Sequence, residues 1–254
     1  MVSYFYSKNK DNEQLEALFN NTAGVILLGT EFHESSHLLD FYFAKQSHTI
    51  PLVLLDNETF HFDVDTVTTD NVRGAYRAIE YLIKKGHTNI GYFSSRRRII
   101  NFDERLQGVN KAKSDFKNCS IQTITVDSAT EIAYADICAW LNKNETLPTA
   151  FFADSDIIAF GAIRAFNQFG YRIPEDISLI GFDDMPACEV VTPPLTTIKV
   201  MKEPMGVKAV DILHQRILAN LESEKKMNWV CRTSLSTTVE ERSSVKAIAS
   251  ERRT

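Results

Sequence analysis

Short apolar runs alternate with longer amphipathic stretches along this chain, and that rhythm limits the fold more than any other feature. The runs are VSYFYS, AGVILLG, IPLVLLD, DTVTT, NIGYFSS, SIQTITVD, PTAFFAD, DISLIGFDD and LTTIKV. They are rich in Val, Ile and Phe and often apolar at every position, as strands covered on both faces of a parallel sheet are. Between them lie segments of helical period. NEQLEALFNN sets Leu15 and Leu18 on one side, and NVRGAYRAIEYLIKKGH repeats apolar residues at Ala75, Ile79, Leu82 and Ile83 before Gly86 stops it. ERLQGVNKAKSDF, ATEIAYADICAWLNKN and DIIAFGAIRAFNQFG behave alike, the last closing on Gly170. Strand and helix in this order predict β-α-β units and an open, doubly wound sheet. About ten strands exceed what one open sheet holds comfortably, so two α/β lobes are expected.

The 254 residues suffice for two such lobes. A net charge of -5 offers no global attraction to nucleic acid or to an anionic membrane. No apolar run approaches the ~20 residues of a spanning helix. The opening MVSYFYSKNKDNEQ has no basic stretch followed by an apolar one, so it does not read as a signal peptide. Cys119, Cys138, Cys188 and Cys231 are widely spaced, as buried or half-buried free thiols of a reducing compartment are. A cytoplasmic location and no membrane partner are the expectation. The last residues, VKAIASERRT, read as a loose polar tail.

One short motif points elsewhere. His33-Glu34-Ser35-Ser36-His37 is a literal H-E-x-x-H, which on a helix sets two imidazoles and a carboxylate around zinc. Its surroundings favour a loop-to-helix junction. Ser35 and Ser36 are N-cap residue types, and apolar periodicity begins only at Leu38. The extended zinc motif wants a glycine and a third histidine where this chain has Asp40 and Phe43. No metal site and no cofactor are expected. No P-loop, G-x-G-x-x-G or Ser-His-Asp order supports another enzyme, and none is expected.

Open α/β sheets bind ligands outside the carboxyl ends of their strands. Polar residues gather at such ends here: Asp70 and Asn71, Asn101 and Arg105, Asp154 to Asp156, and Asp183 with Asp184. Asn71 suits a helix cap, as do most of Asp70, Asp154 and Asp156, and Asp184 suits a turn. Arg96, Arg97 and Arg98 read as a solvated loop. Arg105 and Asp183 each follow a strand end yet stand beside apolar neighbours. A guanidinium fork and a carboxylate facing one cleft suit a polyhydroxylated ligand.

These segments occur together in a recognisable order. DVDTVTTDNVRGAYRAIEYLIKKGHTNIGYFSS is followed by ERLQGVNKA, then PTAFFADSDIIAFGAIRAFNQFGYRIPEDISLIGFDD, PPLTTIKVMKEPMGVKAVDIL and TVEERSS. The series resembles the effector-binding core of lactose-repressor/galactose-repressor (LacI/GalR) transcription regulators, from about Val2 to Ser244.

The resemblance implies two doubly wound parallel-sheet lobes joined by three crossovers, the type I periplasmic-binding-protein-like fold. An N-terminal lobe would hold residues 1–90 and 199–238, a C-terminal lobe 91–198 and 239–248, and a tail 249–254. It implies a sugar-like effector in the interlobe cleft. Arg105 in E-R-L-x-G would grip it, Asp183 in I-G-F-D-D would be the acidic partner, and Asn101 a small polar contact. Ser155 stands where some sugar-responsive members carry asparagine, so it too is expected to contact the ligand, and VDSATEIAY shows no stacking wall. The resemblance also implies a homodimer acting on operator DNA through a helix-turn-helix headpiece. The chain opens at what matches the family's second strand, so that headpiece and the first strand and helix of the core are expected to be missing here. A transporter-associated sugar-binding protein shares the architecture and is the alternative.

Overall fold

A computed structural model describes residues 22–28, 50–57, 63–143, 146–221 and 229–248. The chain divides into two compact units: Met1–Thr68 with Lys202–Leu235, and Thr69–Met201 with Ser236–Thr254. It passes between them three times. Both units are α/β arrangements, with sheets dominated by parallel strands.

The larger unit opens with the last residue of β3 (Asp65–Thr69). It continues through α1 (Asn71–Lys84), β4 (Asn89–Ser95), α2 (Ile100–Asp115), β5 (Ser120–Val126), α3 (Thr130–Leu141), β6 (Ala150–Ala153) and α4 (Asp156–Gln168). Then follow β7 (Ser178–Asp183), a single 3-10 turn (Pro186–Glu189), β8 (Thr196–Lys199) and, after the second unit intervenes, β10 (Thr238–Glu240). Its six-stranded sheet runs β10-β8-β7-β6-β4-β5, parallel except for β10, which pairs antiparallel to β8.

Period-two alternation supplies a core on each face. Ile90, Tyr92, Phe152, Ile180 and Phe182 pack beneath Ala75, Ile79 and Leu82 of α1 and Val109 and Ala112 of α2. Phe93, Phe151 and Leu179 face Ile137 of α3 and Ile158, Ala162 and Phe166 of α4. Each fully buried large side chain contributes roughly 1.5–3 kcal/mol. Helix α1 ends where Gly86 adopts φ 96, with Gly86 N–H on Ile83 O and His87 N–H on Leu82 O. That is the paired C-terminal hydrogen-bond pattern a glycine permits.

The smaller unit holds β1 (Val25–Leu28), β2 (Leu52–Leu55), β3, α5 (Lys202–Leu221) and β9 (Arg232–Leu235). Its sheet order is β1-β2-β3-β9, and α5 packs on β1 and β2. Arg216 of α5 grips Asp65 of β3 through Nε–Oδ2 at 2.7 Å and Nη2–Oδ1 at 2.6 Å.

Two expectations change here. The first boundary falls at Thr68/Thr69, not near Ile90. The reason is packing: Ala75, Ala78, Ile79 and Leu82 make α1 a covering helix of the larger sheet. Strands β9 and β10 were not among the expected ones. Both are short and largely polar, and β10 is an edge strand. VSYFYS, NEQLEALFNN and the His33-Glu34-His37 motif lie outside the described residues.

Candidate ligand-binding site

Strand order locates the crevice. From β4 the chain crosses through α2 to β5 on one side, then through α3 to β6 on the other. The carboxyl ends of β4 and β6 are therefore the topological switch point, where flanking loops diverge and leave a crevice. Asp154 bridges that point: its carboxylate accepts from Ser95 N–H at 2.7 Å and from the Tyr92 hydroxyl. Burial pushes the Asp154 carboxyl up to about 6, although those two donors and nearby Arg105 favour the charged form. Burial also raises the Tyr92 hydroxyl, beside that carboxyl.

Arg105, in the second turn of α2, reaches into this region and is 5% exposed. Its guanidinium lies 3.7 Å from the ring centroid of Phe182, the penultimate residue of β7. Nε donates to Asn71 Oδ1 at 3.0 Å, Nη1 to the Asp154 carbonyl, and Nη2 to Asp183 Oδ1 at 3.0 Å. Three of the fork's five N–H groups are thus engaged among the described residues. Gly108 permits the approach of α2 to α1, since a Cβ there would stand 2.2 Å from Val72 O.

Asp183 closes the constellation at the end of β7. Its side chain is 29% exposed, against 6% for Arg105, so the carboxylate faces outward while the guanidinium stays dry. Its φ of 115 lies where only glycine is comfortable, a cost of order 1–3 kcal/mol that surrounding structure must hold. Asp184 follows at φ 51. Asp156, at the start of α4, supports this turn by accepting from Met185 N–H at 2.8 Å and Thr197 Oγ1 at 2.6 Å. Burial, then the Asp183 charge, pushes Asp156 up to about 6.

A model described as a periplasmic binding protein-like domain matches residues 79–245. The chain belongs to that family. Its core is of the LacI type. The HTH-type transcriptional repressor PurR of Mannheimia succiniciproducens is 32% identical over 195 residues, 76% of this chain and 57% of that protein. The PurR of Pasteurella multocida is 33% identical over 223 residues, 85% of this chain and 64% of that protein. The chain thus spans less than two thirds of the length of these relatives. A LacI family transcriptional regulator from Enterococcus faecalis, solved with bound ribose, superposes with a TM-score of 0.76 at 27% identity, covering 93% of this chain and 82% of that one.

In this LacI-type core, Arg105 and Asp183 are brought into direct contact. Asn101 is buried in the first turn of α2. Ser155 is also buried, and its hydroxyl caps α4 by accepting from Ile158 N–H at 3.3 Å. Asp70, not Asn71, caps α1, accepting from Arg73 N–H at 3.1 Å. Asn71 turns inward instead, toward Arg105 and Glu104 Oε2 at 2.9 Å. Neither Asp154 nor Asp156 is a cap; each is a buried anchor. Arg96 and Arg98 are exposed and pair with Asp136 and Asp103. Sequence alone does not reveal the shelf under the fork, Phe182, because strand residues of either face look alike in one dimension.

Cys188 is buried and the other three thiols are half-buried and free. Among the described residues no cluster of three or more metal-ligating side chains occurs, and no helix is long and apolar enough to cross a membrane.

Proposed function

We propose that this chain is the effector-sensing core of a LacI-type transcription regulator, binding a sugar or sugar-like molecule without transforming it. The observation that carries the reading is the buried Arg105 fork, stacked on Phe182 and paired with an outward-facing Asp183 beside the switch point. The E. faecalis regulator with bound ribose supports a carbohydrate as the ligand class. In this reading vicinal hydroxyls donate to Asp183, ring and hydroxyl oxygens accept from Arg105, and Asn101 adds a polar contact. Ser155 contributes by capping α4. The whole regulator acts in the cytoplasm as a homodimer, with operator DNA read by a helix-turn-helix segment.

The ligand acts by differential binding, since only contacts that differ between two conformations shift their populations. Moving such an equilibrium from almost wholly one state to almost wholly the other takes about 5.5 kcal/mol. Hydrogen bonds to charged groups contribute ~1.5–3 kcal/mol each, so two to four suffice.

Thermal denaturation against D-ribose, hexoses and their phosphates tests the reading. A true ligand at a hundred times its Kd stabilises by about 2.7 kcal/mol. Arg105→Ala and Asp183→Ala are each expected to cut that gain to about half or less while leaving a cooperative transition. Full stabilisation in both variants would remove the site.

A further inference from the structure

Asp183 and Asp184 are consecutive non-glycine residues at positive φ, and such a turn persists only where neighbours hold it. The holders are visible. Arg242 Nη2 meets Asp184 Oδ1 at 2.8 Å, with side-chain exposures of 13% and 12%. Arg242 also donates from Nη1 to Leu195 O at 3.0 Å and from its amide to Thr196 Oγ1 at 2.9 Å. Lys199, at the end of β8, stands 3.4 Å from Asp184 Oδ2 and 3.3 Å from Glu240 of β10. The Asp184 amide donates to Thr197 Oγ1 at 3.4 Å. Asp156 and Arg105 hold the turn from α4 and α2, whereas these tethers of Asp184 come from β8, β10 or the residues beside them. Those are also the segments through which the chain leaves the larger unit after Met201 and re-enters it at Ser236.

We infer that Arg242 and Asp184 are the positioning pair of the site: their ion pair locks the left-handed turn that aims Asp183 at Arg105, and ties that aim to the crossover strands. The inference deepens the sensing reading and rests on it for its consequence, but the lock itself exists without ligand. A shift in the crossover strands would move Arg242, loosen Asp184 and misalign Asp183. By reciprocity, a ligand that fastens Asp183 would hold those strands in place.

Amide hydrogen exchange on the ligand-free protein tests the lock. In Arg242→Ala the amides of Asp184 and Met185 are expected to exchange at least tenfold faster, with those of Tyr92, Phe152 and Ile180 unchanged. Asp184→Asn removes the charge while keeping a side chain that tolerates left-handed backbone, and the same local pattern is expected. Arg242→Lys is expected to restore most of the protection. Unchanged exchange at 184–185 in both charge-removing variants would overturn the inference. So would a uniform rise across β4, β6 and β7, which would make Arg242 an ordinary structural staple. With D-ribose as probe, Arg242→Ala is expected to weaken binding about tenfold, and Arg242→Lys by less than threefold. A wild-type protein that binds none of the carbohydrate probes counts against the sensing reading, while the exchange pattern still decides this one.

Discussion

Each unit contains a buried arginine that stacks on an aromatic ring and pairs with an aspartate, and the two arrangements differ. In the smaller unit Arg216 lies 4.8 Å from the Trp229 ring and meets both oxygens of Asp65. Asp65 also accepts from Cys231 N–H at 2.7 Å, Arg216 donates to Trp229 O, and the two side chains are 6% and 13% exposed. In the larger unit Arg105 touches one oxygen of an aspartate that is 29% exposed and conformationally strained. A closed, bidentate pair fastens α5 to β3 and the segment before β9. A monodentate pair with a part-exposed carboxylate is the arrangement the proposed reading needs for a ligand. Burial and charge alone do not distinguish the two pairs; the denticity and the exposure of the carboxylate do.

The comparison breaks most readily at the staple. Arg216→Ala leaves Asp65 buried and unpaired, and is expected to cost about 3–5 kcal/mol in urea denaturation. A loss under 1 kcal/mol would mean the closed pair is not what fastens α5.

The next effect belongs to the site and depends on pH. Asp154 rises from an ordinary 3.8 to about 6, a difference worth about 3 kcal/mol. Because the folded value is the higher one, this stability is fully present below pH 4 and is lost as pH rises through 6. Denaturation of wild type and Asp154→Asn from pH 4 to 7 should show the wild type losing ground by that order. Parallel profiles would contradict the buried carboxyl.

Arg105→Ala should weaken a bound carbohydrate by ~1.5–3 kcal/mol, roughly ten- to a hundredfold, in calorimetric titration. Arg216→Ala, provided it folds, should leave that affinity within threefold. Equal losses in both would erase the distinction between the two arginines. The smallest effect is at Ser155. Ser155→Ala should cost about 1 kcal/mol of stability for the lost cap and leave affinity within threefold. A tenfold loss of affinity would make the hydroxyl a direct contact.

Much of this was legible in one dimension. NIGYFSS, PTAFFAD and DISLIGFDD announce buried parallel strands because apolar residues fall on both faces, and they became β4, β6 and β7. Arg105 and Asp183 stood out as charges among apolar neighbours at strand ends. The misassigned cap at Asn71 shows the limit: Asp70 and Asn71 are equally good caps by type. The choice fell to Asp70 because Asn71 is drawn inward by Arg105 and Glu104, each more than thirty residues away along the chain. RTSL and TVE gave no strand signal, since exposed edge strands need little apolar alternation.

The order of residues by itself determined the alternation of strand and helix, the two-layered burial of the sheet, and the placement of charged groups at the carboxyl ends of strands. Periodicity and end signals are local, so they survive without coordinates. Only the tertiary structure decided that α1 belongs to the larger unit and that Arg105 rests on Phe182. It alone decided that Asp154 is a buried anchor, and that Arg242 secures a left-handed turn from fifty-eight residues away. Those outcomes depend on which distant groups meet where water is excluded, and the strength of a charge pair is set there by its surroundings.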